Sequence, residues 1–398
     1  MTGGRGARGR GRSKRPFPLI GLLLIAVFVS PCLPAEDNAG VTAAPILQIP
    51  LGARAAGLGG AFTAVADDVS TLHYNPAGLA NLHHREASFM HLTGQEDQAI
   101  QYLAGESPLP FTGLSGSGYA TLGGSLLFSG SGALELNTTN PDGSLKESRT
   151  VDAGGDFVAT VGYAERVADT PFEVPDSSDH IEHFVGVSGK YVRSTLAETY
   201  SARAYAADLG YFARAPGLGV SLGASVLNLG GRMRYLERGD PLPVTLRAGG
   251  AWSVPMPERH GLVWGSDFEY QYYERLWFVN TGVEYSLFKQ WAARAGYQFH
   301  RRLGGLTFGF GGQWKGWGID YAWGYSPDLG DSHRFSFTFR FGKVPVRERE
   351  KPRRPFIESV PDREELPERG EERPQTYDRK ERPRRRSPDP KSAPGWIY

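Results

Sequence analysis

The sequence has little cysteine, little net charge and no long apolar run. Cys32 is the only cysteine among 398 residues and lies in the N-terminal leader, so we expect neither a disulfide framework nor a thiolate metal site. A formal net charge of +1 argues against a nucleic-acid binder that works through overall charge. A mean hydropathy of −0.36 excludes a bundle of membrane helices, but it permits a membrane barrel, in which every second strand residue is polar.

Signatures of catalytic or metal chemistry are also missing. His73, His83, His84 and His91 do not have the spacing of a standard zinc site. The glycine run Gly57–Gly60 fits neither the dinucleotide-binding pattern nor the P-loop. The sequence contains no recognisable Ser/His/Asp signature. We therefore expect no enzymatic activity, no cofactor, no metal site and no nucleic-acid partner.

The first 35 residues have the features of a cleavable signal peptide. The apolar stretch Pro18–Ser30 is too short to span a bilayer comfortably, and small residues provide a cleavage site after Ala35. A retained membrane anchor is the alternative, and the length of the apolar stretch favours cleavage. The basic residues that precede this stretch are Arg5, Arg8, Arg10, Arg12, Lys14 and Arg15.

Residues 85–342 are predicted to be strands almost throughout. In Arg334–Phe341 one face holds phenylalanines and the other holds Arg, Ser and Thr, while Gly318–Ser326 alternates large apolar with small or polar residues. This period of two is typical of strands whose faces meet different environments. Segments of roughly 9–14 residues suit tilted membrane strands, and the length accommodates about 14 of them.

A soluble β-sandwich, propeller or β-helix is the alternative, with the aromatic faces buried in a core. No blade-like or coil-like repeat is visible, and the Tyr and Trp residues on the apolar faces prefer a membrane interface to a dry core. These features favour the barrel. The polar stretch Asp169–His180 is predicted to be a surface loop between strands.

Two segments flank the predicted strands. Residues 36–84 are rich in Gly and Ala and include Asp67–Leu82, DDVSTLHYNPAGLANL, which predicts a short helix interrupted at Pro76 because proline lacks an N–H. Residues 343–398 contain many charged residues and prolines but few apolar ones. Such a tail cannot bury enough surface to offset its ordering entropy, so we expect it to be disordered.

The segment Leu51–Leu82, LGARAAGLGGAFTAVADDVSTLHYNPAGLANL, resembles the PorV/PorQ family of bacterial outer-membrane proteins, relatives of the FadL long-chain fatty-acid transporters. The Gly-Ala-Arg-Ala-Ala-Gly run and the Asn-Pro-Ala-Gly-Leu-Ala run carry the likeness. Later segments, including Leu242–Trp252 and Asp331–Gly342, look like that family's later strands. The resemblance covers about residues 45–342 and leaves out the tail, which a typical member of the family lacks.

The resemblance implies an all-β fold: a closed antiparallel transmembrane β-barrel of about 14 strands with a small N-terminal helical hatch in the lumen. The domain boundaries are then a signal peptide over 1–35, a hatch over 36–84, a barrel over 85–342 and a disordered periplasmic tail over 343–398. We expect a structural or gating role for the hatch motif, which consists of Gly57, Gly59, Gly60, Asp67, Asp68, Asn75, Pro76, Ala77 and Gly78.

Specific roles follow from the residue types in that motif. The three glycines of Gly57–Gly60 would let the backbone pass close to the barrel wall. Asp67 and Asp68 would cap the following helix or pair with lumenal arginines. The Asn75 side chain would satisfy a backbone group that Pro76 leaves free.

The resemblance also implies a function. A PorV-type barrel would assist protein secretion, or the attachment of secreted cargo to the cell surface, in a type IX-like system. One alternative is a FadL-like channel for hydrophobic small molecules, which needs an apolar lumenal path and a lateral gap in the wall. Another is a structural barrel with a periplasmic tethering tail. The expected partners are outer-membrane lipid, the barrel-assembly machinery, and secreted cargo proteins or secretion components, at the outer membrane of a Gram-negative-type bacterium.

Overall fold

The computed structural model describes residues 40–343, apart from 96–97, 117, 175–176, 198, 258, 302–304 and 328–329. The expected signal peptide over 1–35 lies outside the described residues, as does the expected tail beyond Lys343.

Within the described residues, fourteen strands close into a single antiparallel barrel. Each strand pairs with its neighbours in the chain, and the circle closes where the first strand pairs with the last. This closure leaves no unpaired edge in the wall as a whole, which is what lipid demands of a spanning sheet. The barrel strands are β1 His84–Gln95, β2 Gln98–Thr112, β3 Tyr119–Gly130, β6 Gly154–Val174, β7 Ser177–Leu196, β8 Tyr200–Ala215, β9 Val220–Gly230, β12 Thr245–Val254, β13 His260–Gln271, β14 Leu276–Leu287, β15 Trp291–Phe299, β16 Leu306–Trp314, β17 Trp317–Gly324 and β18 Ser332–Lys343.

Two short hairpins stand outside this ladder. They connect β3 to β6 and β9 to β12 at the same end of the barrel, which we call the upper end. At the lower end β1 begins and β18 finishes, and the turns there are shorter. The hairpin strands are β4 Ala133–Thr139 with β5 Leu145–Asp152, and β10 Arg232–Arg234 with β11 Gly239–Pro241.

The outer face of the barrel is apolar and aromatic, and much of the inner face is polar. On β18 the side chains of Phe335 and Phe337 are 52% and 44% exposed, whereas the alternate residues Arg334 and Ser336 are 7% and 6% exposed. The same alternation on the other strands supports the prediction from period two, and the fourteen-stranded closed barrel is confirmed.

The surface loop predicted over Asp169–His180 is wrong. β6 and β7 continue through this stretch as a paired hairpin, from Asp169 opposite Glu182 to Val174 opposite Ser177. Polar composition misled the prediction because a strand that extends beyond the lower end of the barrel needs no apolar outer face. The backbone ladder alone holds it extended.

The N-terminal segment lies inside the barrel. We call its residues 40–83 the plug. It consists of short turns of helix: 3₁₀ turns at Pro45–Gln48 and Pro76–Asn81, with α1 Ala53–Gly57 and α2 Thr71–Tyr74 between them. It bonds to β18, β8 and β12 at different sides of the barrel, so it crosses the lumen. In the described part of the chain, no helix is long and apolar enough to cross a membrane.

Candidate functional site: the plugged lumen

The predicted glycines of the plug pack against glycines of the wall. Gly57 lies against Gly309 of β16, where a Cβ on Gly57 would come within 3.2 Å of the Gly309 Cα. Gly59 has a φ of +68°, and a Cβ there would lie 2.9 Å from the Tyr297 backbone nitrogen. On the other side of this contact, a Cβ on Gly282 of β14 would overlap the Leu58 backbone. Plug and wall therefore meet backbone to backbone, as the glycine-rich sequence predicts.

Asn75 is the hydrogen-bonding centre of the second predicted motif. Its buried amide donates to the Thr63 carbonyl at 3.0 Å and to the Tyr211 carbonyl of β8 at 2.9 Å. Its Oδ1 accepts from the Ala77 N–H at 3.2 Å, the donor just after Pro76. Asn75 thus satisfies three backbone groups, including one in the wall, and the break at Pro76 positions it to do so.

Pro76, Ala77 and Gly78 pack the plug against the wall. Pro76 begins the 3₁₀ turn Pro76–Asn81, where its missing N–H costs nothing. A Cβ on Gly186 of β7 would overlap the Ala77 nitrogen, and a Cβ on Gly78 would lie 2.7 Å from the Ala66 Cβ. These positions fit only small residues.

The two predicted aspartates pair with an arginine of the plug itself. Arg54 bonds to Asp67 and, through Nη1, to Asp68 Oδ2 at 3.2 Å. It also forms a bidentate pair with Glu284 of β14, at 2.8 Å and 3.0 Å. Glu284 in turn accepts from Arg294 at 2.5 Å. Buried bidentate guanidinium–carboxylate pairs fix geometry strongly, so Arg54 holds the plug to the wall.

Asp68 has a second, local role. Its Oδ1 accepts from the Ser70 N–H at 2.8 Å just before α2, close to the helix-capping role expected for it. Burial raises the pKa of Asp68 to about 6, against the opposing field of Arg54, with Glu86 and Asp67 adding to the rise.

Three further charged groups of the wall bind plug backbone. Asp267 of β13 accepts from the Phe62 and Thr63 N–H groups at 2.9 Å and 2.8 Å. Arg247 of β12 donates to the Gly60 carbonyl at 2.8 Å. At the lower end, Glu86 of β1 accepts from the Val69 N–H at 2.9 Å.

These ionic contacts form one region, which we call the charged belt. It occupies the side of the lumen made by β12 to β18 and β1. Each of its charged side chains lies within ion-pair distance of an opposite charge, as buried charges require. The belt consists of Arg54, Asp67, Asp68, Glu86, Arg247, Asp267, Glu269, Glu284, Arg294, Asp320 and Arg340.

The opposite side of the upper lumen is apolar. We call it the apolar chamber. Residues Ala43 to Leu51 of the plug fill it, with Ile46 and Leu47 buried among the wall side chains. From above, Met233 and Leu242 of the β10–β11 region close over it. The chamber wall consists of Met90, Leu92, Ile100, Tyr102, Ala104, Leu127, Val158, Val192, Ala202, Ala204 and Ala206.

A small cavity remains beside the plug in this chamber. Its free volume is about 10 Å³, enough for one water molecule. Its lining includes Leu47, Tyr102, His73 and Lys190. Burial, together with the charges of Lys190 and Arg247, holds the pKa of His73 well below its ordinary range.

The barrel wall is irregular beside the chamber. The β9–β12 ladder ends at Leu227 opposite Thr245, although β9 continues to Gly230. Across from that extension, Pro243 has no N–H to donate, and its carbonyl accepts from the Asn228 side chain at 3.1 Å. We call the facing stretches 228–230 and 242–244 the wall seam. A side-chain bond takes the place of backbone pairing there.

Sequence reasoning missed Arg54 as an anchor and missed both the chamber and the seam. The strand pattern placed Glu284 and Arg294 on a polar face, but it did not show which charged side chains pair with each other in the lumen. Among the described residues, no group of three or more His, Cys, Asp or Glu side chains is arranged to hold a metal ion.

Comparison with known proteins gives a local sequence match. Residues 35–113 match the model of an uncharacterised protein family (UPF0164). A UPF0164 protein of Treponema pallidum (strain Nichols) is 56% identical over 45 residues, which is 11% of this chain and 11% of that protein. The matched stretch thus spans about a tenth of either protein.

Solved structures of bacterial barrels are similar in fold. The toluene transporter TbuX of Ralstonia pickettii is 11% identical, with a TM-score of 0.48 over 73% of this chain and 98% of that one. The toluene transporter TodX of Pseudomonas putida is 12% identical, with a TM-score of 0.43 over 69% and 93%. A FadL homologue of Pseudomonas aeruginosa is 12% identical, with a TM-score of 0.35 over 78% and 99%. At these identities the likeness concerns the fold alone.

Proposed function

We propose that this barrel admits small apolar molecules from the upper end into the apolar chamber and releases them sideways through the wall seam. The observation that carries the proposal is the chamber itself. A water-filled pore has a polar lumen, whereas this lumen has a contiguous apolar wall beside a charged belt. Apolar side chains in a lumen favour apolar solutes for the same reason that they favour the plug residues now there.

The proposed entry requires only the first part of the plug to move. Residues 43–49 meet the chamber through apolar contacts and two hydrogen bonds, from the Ala43 N–H to the Pro241 carbonyl at 2.9 Å and from Gln48 Nε2 to Glu274 at 2.8 Å. Arg54 and the residues after it are held by buried ion pairs as well as by backbone bonds. Burial of Ile46 and Leu47 stabilises the seated plug by about 1.5–3 kcal/mol for each side chain. An apolar solute would make equivalent apolar contacts with the chamber wall. The charged belt would keep the remaining lumen closed to ions.

The proposed exit is the wall seam. Leu242 belongs both to the seam and to the chamber cluster, so a solute in the chamber would already touch the seam. Breaking the Asn228–Pro243 bond costs about 0.5–1.5 kcal/mol, far less than opening a paired ladder. The upper end carries the longer loops, which in outer-membrane barrels face the cell exterior.

The test is uptake of a neutral apolar fluorescent probe by proteoliposomes that contain the mature protein. Ala204→Trp would fill the chamber from β8, and Leu209→Trp, on the outer face of the same strand, is the matched control. We expect Ala204→Trp to slow uptake at least tenfold and Leu209→Trp to leave it unchanged. Equal rates for wild type, Ala204→Trp and empty vesicles would overturn the proposal. Heat-modifiable migration on gels checks that each variant is folded.

The secretion role expected from the PorV/PorQ resemblance rests on that resemblance and stays a prediction. So do the expected partners and the periplasmic tail. Comparing cell-surface and periplasmic proteomes with and without the gene would test the role. Movement of a set of surface proteins to the periplasm would favour secretion over solute uptake.

A further inference from the structure

Arg334 is a buried lumenal arginine without a carboxylate partner among the described residues. It lies on β18 near the upper end and is 7% exposed. Its Nη1 donates to Ser332 Oγ at 2.7 Å, and its Nε has no partner. A buried guanidinium with unmet donors is costly, because its desolvation is not offset by pairing.

Five other basic side chains of the lumen are paired. Each has a carboxylate oxygen 2.5–3.0 Å away, in line with the rule that buried charges are compensated. Arg334 departs from the pattern of these five side chains. The paired side chains are Arg54, Lys190, Arg247, Arg294 and Arg340.

Two more unmet donors occur near Arg334 at the upper end. The guanidinium of Arg301 lies 5.0 Å from the centre of the Phe278 ring, its Nε has no partner, and its charge repels that of Arg334. Ser326 follows β17 two residues after Gly324, which pairs with Ser332; its hydroxyl is buried and also without a partner. Buried donors without an acceptor at this end of the lumen are the groups that an anion site requires.

The neighbouring carboxylates are committed elsewhere. Asp331 accepts from the Ser326 N–H at 3.2 Å and from Trp323 Nε1 at 3.0 Å. Glu269 is engaged by Arg247 at 3.0 Å and by Asn280 at 3.1 Å. Neither carboxylate forms an ion pair with Arg301 or Arg334 in the described part of the chain.

Arg334 also lies where the two halves of the lumen meet. On one side it is opposite Leu92 of β1, which belongs to the apolar chamber. Two residues below it, Ser336 accepts from the Ala53 N–H of the plug at 2.9 Å. A group bound at Arg334 would therefore rest on the plug and touch the chamber edge.

We propose that Arg334, together with Arg301, Ser332 and Ser326, binds a compact oxyanion, such as a carboxylate or a phosphate, in the upper lumen. The planar guanidinium matches a carboxylate or phosphate, and the serine hydroxyls supply further donors. The source is either a free inorganic anion or the anionic end of a solute whose apolar part lies against Leu92. The proposal does not rest on solute uptake, because the site stands on its own donors.

Calorimetric titration of the mature protein in detergent tests the site. Inorganic phosphate and hexanoate are the two probes. The variant is Arg334→Gln, and Arg193→Gln, an exposed arginine on β7, is the matched control. We expect wild type and Arg193→Gln to bind at least one probe, and Arg334→Gln to bind it at least tenfold more weakly, as loss of a charge-assisted pair implies.

The relative affinities of the two probes identify the source of the anion. Tighter binding of hexanoate identifies a solute end as the source, and tighter binding of phosphate identifies a free anion. Anion-dependent thermal stabilisation that is lost in Arg334→Gln and partly kept in Arg334→Lys supports the site even if calorimetric heats are small. No binding by wild type, or equal binding by Arg334→Gln, overturns the proposal. Failure here leaves the Ala204→Trp uptake result unaffected, so the two proposals fail separately.

Discussion

The two sides of this lumen hold the same plug by different interactions, ion pairs on one side and apolar contacts on the other. On the charged belt side, Arg54 and Glu284 form a buried bidentate pair, and breaking it leaves uncompensated charges. On the chamber side, Ile46 and Leu47 make apolar contacts that another apolar group can replace at little cost. One segment is thus fixed at its centre and exchangeable at its beginning. This asymmetry is the basis of the proposed function.

The largest expected effect comes from removing the central anchor. Arg54→Met should lower the free energy of unfolding by about 3–5 kcal/mol, because Glu284 and Asp67 lose their buried partner. It should also make the barrel conduct ions in planar bilayers. Denaturant unfolding followed by tryptophan fluorescence measures the first effect. Arg193→Met, outside the lumen, is the control. A non-conducting Arg54→Met barrel of wild-type stability would show that Arg54 does not anchor the plug.

The next largest loss of stability should come from disrupting the backbone contact between plug and wall. Gly282→Val places a side chain where the Leu58 backbone lies, and we expect a loss of about 1–3 kcal/mol from overpacking. Gly189→Val, on β7, is the matched control because a Cβ there meets nothing within 4 Å. If both variants unfold at the same denaturant concentration, the close approach of plug and wall does not exist.

Asp68→Asn should have a smaller effect, of about 1 kcal/mol or less at pH 7, since the amide can still accept from the Ser70 N–H. The pKa of Asp68 is raised in the folded protein, so the native state holds the proton more tightly than the unfolded chain does. Wild type should therefore gain stability relative to Asp68→Asn as the pH falls from about 6 towards about 4. A difference independent of pH over this range would argue against a buried Asp68.

The smallest effect on global stability is expected in the chamber. Leu47 is as buried as the anchors, yet Leu47→Ala should change the free energy of unfolding by only about 0.5 kcal/mol, because residues 43–49 can detach locally. Binding of a neutral apolar probe should increase. A global loss of about 2–5 kcal/mol, typical of a core leucine, would show that the chamber segment is as fixed as the belt.

Strand alternation predicted the barrel, because alternation is a local pattern, whereas the place of the plug in the lumen was implied only by the family resemblance of the glycine-rich motif. Gly59 and Asn75 could be identified because their local sequence demands close backbone approach or a free acceptor. The pairing of Arg54 with Glu284 spans 230 residues and depends on barrel closure, so no local pattern encodes it. The hairpin through Asp169–His180 was missed because backbone pairing, not side-chain pattern, maintains it beyond the barrel end.

The most direct test is to delete residues 40–49 and titrate the mature barrel with a neutral apolar fluorescent probe. We expect the deletion variant to stay folded and non-conducting and to bind the probe at least tenfold more tightly than wild type, because the chamber is emptied and the belt is intact. Unchanged probe binding in a folded deletion variant would contradict the claim that the plug and an apolar solute compete for one chamber.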